Sequence, residues 1–303
     1  MRLVMYQGRT GKRPGALEGE SVIDLCRASE DLGSGSLPGD LRGLIEAGPE
    51  ALAYVRHLTA LPEVSDRESK YRLTLGSVRL LAPLDPPAGN VVAIGRNYGE
   101  HAREQAAARG ESIERPTIFT KAQTSITGPY DDISIDQEVT TQVDWEAELG
   151  VVLGRRGRDI PIDESMGYVF GYTVLNDLSA RDIQYGWGGQ FFKGKSLDSF
   201  CPSGPCIVTA DEVADPQNLR IRLKVNGEIK QDASTSDMIF PVSRLVAELS
   251  VGMTVLPATL IATGTPSGVG YARQPPEFLK PGDVVETEVQ DIGTIRNRIV
   301  EAG

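Results

Sequence analysis

The sequence predicts a β-rich α+β fold carrying a small N-terminal α/β accessory domain. Two observations support this: most periodic segments alternate apolar and polar residues, and helices do not follow strands in the regular order of a doubly wound sheet. A third is length. At 303 residues and 40% hydrophobic content, the chain can bury one large core with a companion unit.

Taken in order, short strands are expected at Leu3 to Tyr6, Gly15 to Leu17 and Val22 to Leu25, then helical turns around Leu41 to Ala47 and Glu50 to Leu58. The polar stretch from Pro62 to Lys70 separates this unit from the rest, giving an accessory domain over 1–72 and a main domain over 73–303. Val143 to Leu153 reads as one strand, and Tyr168 to Leu175 as a strongly apolar one that ends in Asn176-Asp177. Ser179 is placed to cap a following turn. Ile221, Leu223 and Val225 alternate up to Asn226-Gly227, a type I′ hairpin signal. One helix interrupts the strands: Pro241 lies at its first turn, Val242, Leu245, Val246 and Leu249 share a face, and Gly252 stops it. Pro281-Gly282-Asp283 and Asp291-Ile292-Gly293 bracket the last hairpin.

Thirty-one Lys and Arg against 42 Asp and Glu leave a formal net charge of -11, which repels nucleic acid and anionic membrane surfaces. The N-terminus turns polar too early for a signal peptide, and no apolar run is long enough to span a bilayer, so a cytoplasmic location is expected. Cys26, Cys201 and Cys206 are odd in number and lack Cys-x-x-Cys spacing; incidental thiols are expected.

Four segments could carry chemistry. On the Val143 to Leu153 strand, Asp144, Glu146 and Glu148 share one face, the two glutamates about 7 Å apart. Such a face is either solvated or neutralised by a cation. Asp177, at a strand end, is a third carboxylate or a simple turn residue. With only His57 and His101 in the chain, three carboxylates point to Mg²⁺ or Mn²⁺ rather than zinc. His57 reads as structural. His101 precedes Glu104 by one helical turn, the spacing by which a carboxylate orients a general base, although such pairs also decorate solvated helices. Gly189 to Ser196 matches the Walker A pattern, but no strand precedes it and Pro202 and Pro205 prevent a long helix after it, so nucleotide binding is not expected. Lys195 within it is a functional cation or a surface lysine. Thr263 to Gly270 is a glycine-dense loop suited either to close approach of a carboxylate or to a tight turn.

The order and wording of Gly95-Arg96-Asn97-Tyr98 to Glu104, Pro116 to Lys121, Glu146-Ala147-Glu148, Asn176 to Gln184, Gly194-Lys195-Ser196 and Thr263 to Gly270 resemble the fumarylacetoacetate hydrolase family, in particular its bacterial acylpyruvase-like members. The resemblance runs from about residue 90 to the C-terminus. It implies a mixed β-roll, a homodimer, and Glu146, Glu148 and Asp177 as ligands of Mg²⁺ or Mn²⁺. It also implies a small 2-oxo acid substrate met by Arg96, Tyr98, Gln184 and Thr265. Lys195 would assist catalysis, and a lid would carry His101 and Glu104. The stretch from Gly99 to Gly110 has glycine at both ends and, alanines aside, almost no apolar residues, as a lid would. The activity so implied is hydrolysis of a C–C bond in an acylpyruvate- or fumarylpyruvate-like acid through a metal-bound enolate, with His101 and Glu104 activating water, in a setting such as aromatic catabolism. The alternatives are an oxaloacetate-type decarboxylase or 2-oxo/enol acid isomerase on the same site, and a catalytically silent metal-binding scaffold.

Overall fold

The computed structural model describes residues 1–9, 11–33, 36–99 and 114–302. A long mixed sheet runs through the molecule in the order Arg72–Thr74, Ser21–Asp24, Gly11–Glu18, Arg2–Gly8, Cys201–Thr209, Val169–Asn176, Ala147–Leu153, Leu260–Ala262, Val91–Gly95 and Thr117–Lys121. A five-stranded sheet, from Glu228–Ser234 through Arg220–Val225, Val284–Val289 and Gly293–Glu301 to Ile133–Ile135, packs on one face. The core between them holds Trp145, Ala147, Leu149, Val151 and Leu153 with Ile221, Leu223 and Ile295. On the other face, Val152, Leu175, Ile207 and Leu260 meet Leu41, Leu44 and Val55 from the N-terminal helices Leu41–Glu46 and Pro49–Ala60. The period-two alternation of each strand therefore separates two cores.

The N-terminal strands continue the main sheet, with Leu3 opposite Ile207. The boundary drawn after residue 72 falls inside the strand Arg72–Thr74. Asn226 and Gly227 adopt φ of 52° and 81°, the left-handed pair that a type I′ turn needs, and the last hairpin forms as expected. The predicted helix spans Val242–Ser250 with Pro241 as its N-cap. Cys26, Cys201 and Cys206 are free thiols. Among the described residues no helix is long and apolar enough to cross a membrane.

Two local expectations are corrected. Val143 to Leu153 is not one strand: Val143–Asp144 pairs with Ser179–Ala180, whereas Ala147–Leu153 pairs with Val169–Asn176. The switch occurs at Trp145-Glu146, where the Glu146 amide leaves the ladder and donates to Asn176 Oδ1 at 2.9 Å. Ser179 is not a cap; it lies in the short strand, and the helix Arg181–Gly186 starts from Ala180 without a side-chain cap.

Candidate active site

The change of strand partner creates the site. Ala147 lies opposite Asn176, so Glu146 and Asp177 flank the same end of the strand pair, and the Asp177 N–H donates to the Glu146 carbonyl at 2.9 Å. Glu148, two residues on, points to the same side. Ligand oxygens of Glu146, Glu148 and Asp177 lie within 4.8 Å of one another, and all three residues are buried.

Three carboxylates this close are stable only when neutralised. The Lys195 ammonium stands 2.8 Å from Glu146 Oε2 and 2.7 Å from Asp177 Oδ2, and Lys121 Nζ stands 2.7 Å from Asp177 Oδ1. The Arg181 guanidinium reaches Glu146 Oε1 at 2.6 Å and Asp144 Oδ2 at 2.8 Å. Glu148 differs: the partner it accepts from is the backbone N–H of Gly264, 2.8 Å from Oε2. Burial, then the charges of Asp177 and Glu146, push its carboxyl well above the ordinary glutamate range. For Asp177, burial acts upward but Lys121 and Lys195 outweigh it and hold the carboxyl low. Lys195 is weakened as a cation by burial, yet Asp177 and Glu146 more than compensate and raise its pKa, so it stays protonated.

This donor set fits a hard divalent cation. It offers oxygen alone, and among the described residues Glu148 is the carboxyl of the three with no cationic side chain against it, a gap that a metal's charge would fill. Asp144, grouped with the glutamates by periodicity, serves the scaffold instead. It accepts from the N–H groups of Trp145, Gly270 and Tyr271 at 2.8, 2.6 and 3.0 Å and from Arg181.

The other expected residues are distributed unevenly. Lys195 ends the four-residue helix Phe192–Lys195, far too short for a phosphate cradle. Its neighbour Gly194 packs so tightly that a Cβ there would stand 2.6 Å from the Gln184 backbone nitrogen. Gln184 is buried beside the carboxylates, its Oε1 accepting from Arg181 Nη1 at 2.9 Å. Tyr98 is buried, its hydroxyl has no hydrogen-bond partner among the described residues, and burial, then the charges of Glu148 and Asp237, push that phenol up. Thr265 follows Gly264 and is half-buried. Arg96 is exposed, with φ of 58°, and no described contact ties it to the carboxylates. His101 and Glu104 lie outside the described residues.

Sequence reasoning missed the roles of Lys121 and Arg181. Both are buried, and Lys121 also donates to the carbonyls of Leu178, at 3.1 Å, and Lys195. The available signal was weak: Lys121 ends a strand, and Arg181 begins a helix, where a basic residue opposes the dipole and needs a local reason. The Phe119 ring lies 5.3 Å from Lys195 Nζ and the Tyr271 ring 6.0 Å from the Arg181 guanidinium carbon, giving aromatic cover over the cations.

A mixed-sheet fold with a buried, oxygen-only acidic centre defines a class of candidate sites for a hard divalent metal. The chain belongs to the fumarylacetoacetate hydrolase family: residues 90–300 match the family described as fumarylacetoacetate (FAA) hydrolase, C-terminal. It is 40% identical over 285 residues to the oxaloacetate tautomerase YisK of Bacillus subtilis, covering 93% of this chain and 94% of that protein. A fumarylacetoacetate hydrolase from Exiguobacterium antarcticum superposes with a TM-score of 0.84 at 36% identity, covering all of both chains. A 2-hydroxyhepta-2,4-diene-1,7-dioate isomerase from Mycobacterium marinum gives 0.74 at 32% identity, covering 100% of this chain and 99% of that one. The named activities of these relatives favour isomerisation over the hydrolysis expected first.

Proposed function

We propose that the protein is a tautomerase of small 2-oxo dicarboxylic acids of the oxaloacetate type, moving a proton between C3 and the 2-oxo oxygen. The observation that carries this reading is the buried triad of Glu146, Glu148 and Asp177, in a chain similar along nearly its whole length to an oxaloacetate tautomerase. Mg²⁺ or Mn²⁺ held by the triad would supply Lewis acidity to the 2-oxo and carboxylate oxygens. Lys195, kept protonated by its two carboxylates, adds fixed positive charge where negative charge grows on the enolate oxygen. It is therefore an electrostatic stabiliser and not the base. The Tyr98 hydroxyl, unpartnered among the described residues, is free to donate to the substrate, and Thr265 and Gln184 complete the binding wall. His101, oriented by Glu104, carries the proton to and from C3. Arg96 meets the distal carboxylate. A homodimer in the cytoplasm completes the reading, and exposed Tyr185, Trp187 and Phe192 offer apolar surface for assembly.

The test is ketonisation of enol-oxaloacetate, followed by loss of the enol's ultraviolet absorbance, run beside acylpyruvate cleavage and CO₂ release. Ketonisation should be the fastest of the three, and His101→Ala should lower its kcat by about 10²–10⁴ with metal affinity intact. Acylpyruvate cleavage outrunning ketonisation would replace this reading with hydrolysis, which the Exiguobacterium neighbour's name favours.

A further inference from the structure

Gln231, on the strand Glu228–Ser234 and 1% exposed, joins the carboxylate strand to the glycine-dense loop. Its Oε1 accepts from the Ala147 N–H at 2.9 Å, between Glu146 and Glu148. Its Nε2 donates to Thr265 Oγ1 at 2.8 Å and to the Pro266 carbonyl at 2.9 Å. These partners settle the orientation of the amide. A backbone N–H only donates and a carbonyl only accepts, so a flipped Gln231 would face like against like at both ends. The consequence falls on Thr265. A hydroxyl has one hydrogen and two lone pairs, and Nε2 already occupies a lone pair, so the hydrogen must turn elsewhere. Gly264, the preceding residue, donates its N–H to Glu148 Oε2 at 2.8 Å, which ties this loop to the carboxylate cluster. Accepting one hydrogen bond also strengthens the next one that the hydroxyl donates.

We propose that Gln231 is a positioning residue that makes Thr265 a hydrogen-bond donor toward the substrate, so that the site selects ligands presenting a carboxylate or carbonyl oxygen there and rejects those presenting a donor. This rests on the reading that Thr265 faces the substrate. Its test separates the two ideas through a double-mutant cycle with Mg²⁺ present, using the 2-oxo acid that the wild-type enzyme turns over best. In Gln231→Met the amide is removed without adding a charge, so nothing occupies the Thr265 lone pair and its hydrogen is no longer aimed at the substrate. KM should rise by about three- to tenfold, with kcat and calorimetric Mg²⁺ affinity near wild type. Thr265→Val should raise KM similarly, and the double variant should be no worse than Thr265→Val alone. A purely structural tie would instead lower kcat, weaken Mg²⁺ binding, and multiply with Thr265→Val. If Thr265→Val leaves KM unchanged, the assignment of Thr265 fails and this inference with it. If Thr265→Val raises KM but Gln231→Met does not, or the two effects multiply, the inference alone is overturned. Should Gln231→Met not fold by thermal melting, Gln231→Leu enters the same cycle: a rise in KM that is absent in the Thr265→Val background supports the proposal, and independent effects overturn it.

Discussion

At the scale of residues, the site is an argument about charge. Glu146 and Asp177 each have cationic partners, and those of Asp177 hold its carboxyl low, whereas Glu148 has the Gly264 N–H and is pushed up by burial and by the charges of Asp177 and Glu146. A divalent cation favours the ionised form of Glu148, so its binding should release a proton from that carboxyl. Mg²⁺ or Mn²⁺ affinity should rise with pH through the raised range of that carboxyl. Calorimetry in buffers of different ionisation enthalpy should detect proton release that Glu148→Gln removes; release unchanged in that variant would place the titrating group elsewhere. The same logic explains what a reading of residues misses. A strand's alternation groups Asp144 with Glu146 and Glu148, yet only three-dimensional contacts show that three backbone N–H groups and Arg181 consume Asp144. Lys121 is equally silent in sequence, because its partners are 56 to 74 residues away, at Asp177, Leu178 and Lys195.

At the scale of elements, local chemistry was legible wherever it sufficed to determine structure. Asn226-Gly227 specifies its turn, and the apolar stripe of Val242, Leu245, Val246 and Leu249 specifies its helix. The break at Trp145-Glu146 was not legible, because it depends on a partner strand some 30 residues on. The Walker-like letters fail at this scale too. A four-residue helix whose lysine is buried on two carboxylates has neither the aligned amides nor the free ammonium that a triphosphate needs, so titration with ATP should give no saturable binding. Saturable micromolar binding lost in Lys195→Ala would contradict this. The Thr263 to Gly270 loop makes a sharper demand. Gly264 has φ of 100°, and a Cβ there would stand 2.7 Å from the Asn97 Cβ. Gly264→Ala should push the loop off Glu148 and weaken Mg²⁺ binding by about tenfold or more, while leaving the fold cooperative in thermal melting. Wild-type affinity in that variant would mean that the loop has no part in holding the site.

At the scale of the whole molecule, a chain of net charge -11 concentrates Lys121, Arg181 and Lys195 at one buried point, the local positive focus that the proposed anionic substrate would need. The surrounding sheet gives that point its rigidity: the carboxylate strand is central, with a packed core on each face. On the proposed reading, this rigid, oxygen-only centre stabilises an enolate and the protein controls delivery of the proton to C3. The most direct measurement of that claim is ketonisation of enol-oxaloacetate in D₂O with Mg²⁺, trapping the product at once by reduction to malate and reading the configuration at C3. The account predicts deuterium on one face of C3 with the wild-type protein, and the uncatalysed mixture of both faces after chelation or in Glu148→Gln. Deuterium spread equally over both faces with the wild-type protein and Mg²⁺ would contradict it.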